Sequence, residues 1–172
     1  IMSIDSLSTP LHQAVKILRE GPDGLYYALL YQGGIACFDK GNEKFLPVRF
    51  DKTLKLKDVL DFYWNGGNLY LTTSQGLFES RVVRKTEGEN DFVLCILNPE
   101  PLVRGKVAHL CSDGKTNLYF SVNQGKVMHY DLVTKTASLI KEYSVVNRLF
   151  LRHGYLWICR LWDDIICYDL KT

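Results

Sequence analysis

Amide, carboxylate and guanidinium groups that could hold a sugar recur in this sequence at the ends of apolar runs. One set sits in short turns: Gln32, Gln75, Asn123, Gln124, Trp162 and Asp163. A second set, Asp58, Arg104, Lys106, Asn147 and Arg148, stands at or just before the start of an apolar run. Planar polar groups hydrogen-bond sugar hydroxyls, and an aromatic ring covers the apolar C–H side of a sugar. Ordinary turn chemistry accounts for any one of these residues; their repetition is what points to binding. Trp162 stands out, because a Trp in a turn leaves a large apolar ring in water. Trp64 and Trp157 lie within apolar runs and read as packing residues.

Catalysis finds no such pattern. The sequence has no G-x-S-x-G, no P-loop glycine pattern and no H-E-x-x-H. Its histidines, His12, His109, His129 and His153, are scattered. Nothing nominates the pair of carboxylates across a cleft that glycosidases use. The five cysteines, Cys37, Cys95, Cys111, Cys159 and Cys167, form no C-x-x-C pair and sit in mostly apolar strand-like settings. They read as structural thiols rather than zinc ligands or nucleophiles. The chain is therefore expected to be a non-enzyme with no cofactor, no metal and no catalytic residues.

Composition narrows the class further. Hydrophobic residues make up 47% and charged residues 23%, the balance of a globular domain. A net charge of +2 does not suggest a nucleic-acid surface. No run of 18 apolar residues is present, so membrane attachment would come only through parts of a parent protein outside this chain. The sequence begins with Ile1 and without a basic-then-apolar leader, which reads as a piece cut from something longer.

What must position the polar turns is a repeat. Four copies of a leucine–aromatic motif occur: Gly24-Leu25-Tyr26, Asn68-Leu69-Tyr70, Asn117-Leu118-Tyr119 and Tyr155-Leu156-Trp157. Their leucines are 44, 49 and 38 residues apart, a spacing that suits four-stranded propeller blades. Each copy follows an alternating apolar run, as in Val59-Leu60-Asp61-Phe62-Tyr63, and precedes a tight turn. The turns read Gln32-Gly33-Gly34, Gln75-Gly76, Gln124-Gly125 and Trp162-Asp163-Asp164, residues that tolerate positive φ. Three copies then end in an aromatic–Asp pair: Phe38-Asp39, Tyr130-Asp131 and Tyr168-Asp169. The second has Phe78-Glu79, two or three residues early. His129 falls at the slot of Cys37 and Cys167, so it reads as structural.

The expected fold is all-β, with about four antiparallel β-propeller blades near 12–50, 57–98, 106–143 and 146–172, as a fragment of a larger propeller. Outer strands are expected at Phe45 to Phe50, Phe92 to Leu97 and Ser138 to Tyr143. The fourth copy stops before its outer strand, which residues 1–5 would supply. Otherwise an unpaired blade edge would favour a homodimer. A β-sandwich is the alternative architecture.

The pattern resembles the two-component regulator propeller repeat, in which Asp-Gly-x-Leu-Trp-hydrophobic is followed by a Gly turn and a strand ending aromatic–Asp. The matching residues are Pro22-Asp23-Gly24-Leu25-Tyr26-Tyr27, Ser112-Asp113-Gly114 with Asn117-Leu118-Tyr119-Phe120, and His153-Gly154-Tyr155-Leu156-Trp157-Ile158. Three of the four copies have Tyr where the family favours Trp. The resemblance implies a periplasmic or extracytoplasmic sensor segment of a Bacteroidetes hybrid two-component system that recognises oligosaccharide. The alternatives are a protein-interaction scaffold and a glycan-active propeller enzyme. Far-UV circular dichroism should give a strand spectrum without a helical component; a strong helical signal would sink the repeat reading.

Overall fold

The computed structural model describes residues 14–31, 33–41, 43–50, 59–84 and 92–170. Among them the chain forms only strands, turns and irregular segments. Four small sheets, each built on an antiparallel meander, make four blades of a β-propeller. Blade one contains β1 (Val15–Glu20), β2 (Tyr26–Leu30), β3 (Ile35–Asp39) and β4 (Lys44–Pro47). Next come β5 (Arg49–Phe50), β6 (Val59–Asn65), β7 (Asn68–Thr73), β8 (Gly76–Arg84), β9 (Phe92–Ile96) and β10 (Val103–Arg104) in the sheet of blade two. Blade three contains β11 (Val107–Ser112), β12 (Asn117–Val122), β13 (Lys126–Asp131) and β14 (Thr136–Glu142). Blade four has β15 (Val146–Arg152), β16 (Tyr155–Arg160) and β17 (Ile165–Asp169). The expected strand at residues 1–5 lies outside the described residues.

The repeat works because side chains alternate across each second strand. Leu69, Leu118 and Leu156 are fully buried and face the preceding blade, where they enter three separate apolar clusters. The aromatics that follow, Tyr70 and Tyr119, face the next blade and enter its cluster. Blades two and three are thus glued on both faces, and burial of one such leucine is worth about 1.5–3 kcal/mol. Trp157 is the fourth aromatic. It stacks on Phe150 of its own blade, ring centroids 5.9 Å apart, and Phe150 is 41% exposed.

Blade one departs from the expected register by one residue. Its motif aromatic is Tyr27, not Tyr26: Tyr27 pairs with Cys37 as Tyr70 pairs with Glu79, Tyr119 with His129 and Trp157 with Cys167. Leu25 is left in the turn before β2, where its carbonyl accepts from the Gly21 N–H at 2.7 Å. Counted back from its Gln-Gly turn, Tyr26 holds the leucine slot, six residues before Gln32 as Leu69 and Leu118 are before Gln75 and Gln124. A one-residue slip exchanges the two faces of a strand, so the structure corrects which side chains meet blade two. The same register shows why Phe78-Glu79 came early. The aromatic–Asp slot in blade two is Ser80-Arg81, with the Ser80 hydroxyl donating to the Leu69 carbonyl at 2.5 Å.

The outer strand expected at Phe45 to Phe50 is divided. After Val48, whose N–H still bonds the Ile35 carbonyl at 2.8 Å, the chain leaves blade one, and Arg49–Phe50 pairs in parallel with Val93–Leu94 of blade two. The crossing covers an edge of blade two that would otherwise be open.

Gly33 and Gly34 take the expected positive φ, 88° and 100°, but two turn glycines serve a different purpose. In the turn of blade three the left-handed residues are Asn123 (φ 49°) and Gln124 (φ 73°). Gly125 is needed for close approach, since a Cβ there would collide with the Tyr143 carbonyl. Gly76 likewise lies under Val103 and Pro101. In both places the connector to the next blade crosses the turn and bonds to it: Tyr143 N–H to the Gly125 carbonyl at 3.0 Å, and Leu102 N–H to the Leu77 carbonyl at 2.7 Å.

The inner strands are tied by one carboxylate. Asp61, 3% exposed, accepts from Arg19 of blade one at 3.1 Å, from its neighbour Phe62 N–H at 2.8 Å and from Leu110 N–H of blade three at 3.0 Å. Removing one partner of a buried ion pair strands the other. Arg19 keeps some solvent contact, so Asp61→Ala should cost about 3 kcal/mol, the low end of that range. Urea unfolding measures it; a loss below about 1 kcal/mol would show that the carboxylate does not hold the blades together.

Candidate functional site

Each inner strand carries a β-bulge near its start, at Val15/Ile17, Val59/Asp61, Ala108/Cys111 and Val146/Arg148. A bulge turns the strand and re-aims side chains. Here the four bulges lie at the same end of the blades, the rim from which the second-to-third-strand turns also project. A central pocket of about 410 Å³ opens there. It is lined from blade one by Lys16 and Ile17, from blade two by Leu60 and Asp61, from blade three by Ala108, His109, Ser121 and Gln124, and from blade four by Val146, Arg148 and Leu161; the connectors add Lys106 and Val145. Its size falls within the range of small-molecule sites, and its walls are apolar with a few polar groups, as such sites are.

Lys16 reaches across the blade boundary and donates from Nζ to the Leu60 carbonyl at 3.0 Å. The Arg19 guanidinium lies below, 4.7 Å from the Tyr63 ring centre, and its bond to Asp61 holds that carboxylate. His109 adopts φ 56°, a conformation uncommon outside glycine. Burial pushes its imidazole below the usual value; Asp61 pulls the other way, Arg148 and Lys16 add to the lowering, and a backbone hydrogen bond at Val146 opposes it.

Of the residues expected to bind, Gln124 and Arg148 line this pocket, together with Lys106. Gln75, Asn123, Asn147, Arg104, Trp162 and Asp163 stand at the rim outside the lining. Several are already engaged. The Asn123 Oδ1 accepts from Lys106 N–H at 3.2 Å, Arg104 is paired with Glu100, and Asp163 bonds Arg160 at 2.6 Å. Trp162 is 95% exposed in a left-handed turn residue, φ 63°. Gln32 and Asp58 lie outside the described residues. Lys16, Asp61 and His109 were missed, because they sat in runs read only as strands. The signal was present: a charged residue inside an apolar run that must be buried needs a partner.

The remaining chemistry is structural. Burial pushes the Cys37 and Cys111 thiols up to about 12, so neither supplies a thiolate near neutral pH. His129 bonds the Asn117 side chain at 2.7 Å and stacks on Tyr119. Asp39 and Asp131 cap turns, accepting from Gly41 N–H at 2.9 Å and Val133 N–H at 2.7 Å. Among the described residues no group of three or more His, Cys, Asp or Glu is placed to hold a metal.

No family model matches the chain, and no curated protein matches it in sequence. Solved structures do. The extracellular domain of a hybrid two-component system from B. thetaiotaomicron superposes with a TM-score of 0.72 at 14% identity, over 91% of this chain and 23% of its own. A second such domain from the same organism gives 0.57 at 16% identity, over 92% and 23%. An auxiliary nutrient binding protein from Bacteroides thetaiotaomicron gives 0.63 at 16% identity, over 86% and 36%. The chain thus spans about a quarter of the two-component domains it matches, and what it shares with all three is the propeller fold.

The lowered His109 value has a consequence for stability. In the unfolded chain His109 takes up a proton near its ordinary value of about 6.5, whereas in the fold it resists doing so. Its contribution is therefore complete above that pH and is lost as pH falls below it toward the lowered folded value. The urea midpoint should fall between about pH 7 and pH 5, and His109→Asn, which tolerates the same φ, should flatten that fall. An unchanged profile in the variant would refute the assignment.

Proposed function

We propose that this chain is a non-catalytic, ligand-sensing segment of an extracytoplasmic receptor in two-component signalling, and that it recognises carbohydrate at the central rim. The observation that carries the reading is the pocket to which all four blades contribute. A ligand seated there touches every blade at once, so binding is coupled to blade orientation. Ser121, Gln124, Lys16 and Arg148 offer donors and acceptors between apolar walls, as hydroxyl-rich ligands require. Trp162 adds an aromatic face beside Leu161, with nothing packed over it. The fold neighbours named as extracellular domains of hybrid two-component systems, and the one named as a nutrient binding protein, support the sensing role and the location.

A protein-interaction scaffold is the second reading. It is favoured by the exposed face of blade four, where Phe150, Tyr155 and Trp157 line a shallow hollow. Capture of a protein partner that sugars do not affect would decide for it.

Trp162→Ala should weaken oligosaccharide binding by about 1–3 kcal/mol in calorimetry, the scale of losing an aromatic anchor. Its unfolding free energy in urea should stay within about 0.5 kcal/mol of the parent, since the ring packs against little. Unfolding of the variant, or unchanged affinity, would remove Trp162 from the site.

A further inference from the structure

We propose that the central pocket is built for a saccharide that carries an acidic group, a carboxylate or a sulfate. This rests on the carbohydrate reading and names the class of sugar. Three cations converge on one mouth from separate elements: Lys16 of blade one, Lys106 of the connector into blade three, and Arg148 of blade four. The chain as a whole carries only +2, so their gathering is not the mark of a generally basic surface.

The pairing of the rim cations is uneven. Outside the pocket Arg104 is matched by Glu100, and Arg160 by Asp163 and Asp164. Inside it, among the described residues, no ion pair engages Lys16, Lys106 or Arg148. Lys16 spends one of its three donors on a neutral carbonyl. The single carboxylate in the lining, Asp61, does not answer them: it is buried, and Arg19 and two backbone N–H groups already occupy its oxygens. Three cations facing a concave, apolar-walled space of about 410 Å³ set up a positive potential that a neutral sugar leaves unanswered and an acidic one neutralises. Field lines concentrate between walls such as Ile17, Leu60 and Val146, where charge-assisted hydrogen bonds gain strength.

The test is retention on immobilised oligosaccharides of three kinds: neutral gluco-, manno- and galacto-oligosaccharides, uronate-containing ones, and sulfated ones. The chain, Lys16→Gln, Arg148→Gln and Lys115→Gln are compared at two ionic strengths after circular dichroism confirms each fold. Lys115 lies in the β11–β12 loop at the opposite end of the blade and serves as the control. Binding confined to uronate or sulfated sugars is expected, and the two acidic sets show which acid is read. Each pocket variant should lose about tenfold or more in affinity while Lys115→Gln loses none. Equal binding of neutral and acidic sugars would overturn the proposal and leave the carbohydrate reading standing. Acidic binding that survives both pocket variants would overturn it too. Retention of no sugar of any kind would remove both.

Discussion

The geometry of this propeller depends on a buried carboxylate. Sheets are largely local objects: the hydrogen bonds of each blade's meander join neighbours in sequence, and nothing in a meander fixes its angle to the next. Apolar clusters bring blades together without directing them. Asp61 supplies direction. Its oxygens face Arg19 of blade one and Leu110 of blade three, so three inner strands share one centre. A carboxylate in that position is costly unless every acceptor is used, and a shift of blade one or blade three would leave one unused. Asn65 repeats the device at the far end of the same strand, accepting from the Ser112 hydroxyl at 2.8 Å and donating to the Lys115 carbonyl at 2.9 Å. Blade two is thereby pinned to blade three at both ends.

With the inner strands fixed, the rim can carry exposed and strained residues without loss of the fold. The bulges, the left-handed turn residues Asn123, Gln124 and Trp162, and His109 all lie at this end. The opposite end holds the Asp turns, Asp23 bonding the Tyr27 hydroxyl at 2.7 Å and Asp113 bonding Asn117 N–H at 3.0 Å. Polar residues there satisfy their own loops. At the rim, Lys16, Lys106 and Arg148 leave charge facing the central space.

The fold was legible because a propeller writes one pattern several times, and alternation with tight turns repeats even when spacing does not. The rim was legible for the same reason, since a meander places its second-to-third turns beside the starts of its inner strands. What stayed hidden was long-range. Nothing in Val59-Leu60-Asp61-Phe62-Tyr63 says that the aspartate meets Arg19 and Leu110, 42 and 49 residues away. The slip at Leu25 was hidden because Tyr26 and Tyr27 are both aromatic, and either could fill the slot by composition. The break in the first outer strand was hidden as well, because the pairing of Arg49 and Phe50 with blade two is set by a neighbour outside the repeat. Turn glycines were read for their own dihedral freedom, whereas Gly76 and Gly125 answer to chain that passes over them.

That crossing gives the molecule a direction in time. The turn at Gln124–Gly125 receives hydrogen bonds from Val146 and Tyr143, which are made later than the blade they complete. On a ribosome, the rims of blades two and three stay open until the chain that follows each of them emerges and seals it. Blades two, three and four are thus overlapped like shingles toward the carboxyl end. An interrupted chain would carry one unsealed rim at its growing end and finished blades behind it.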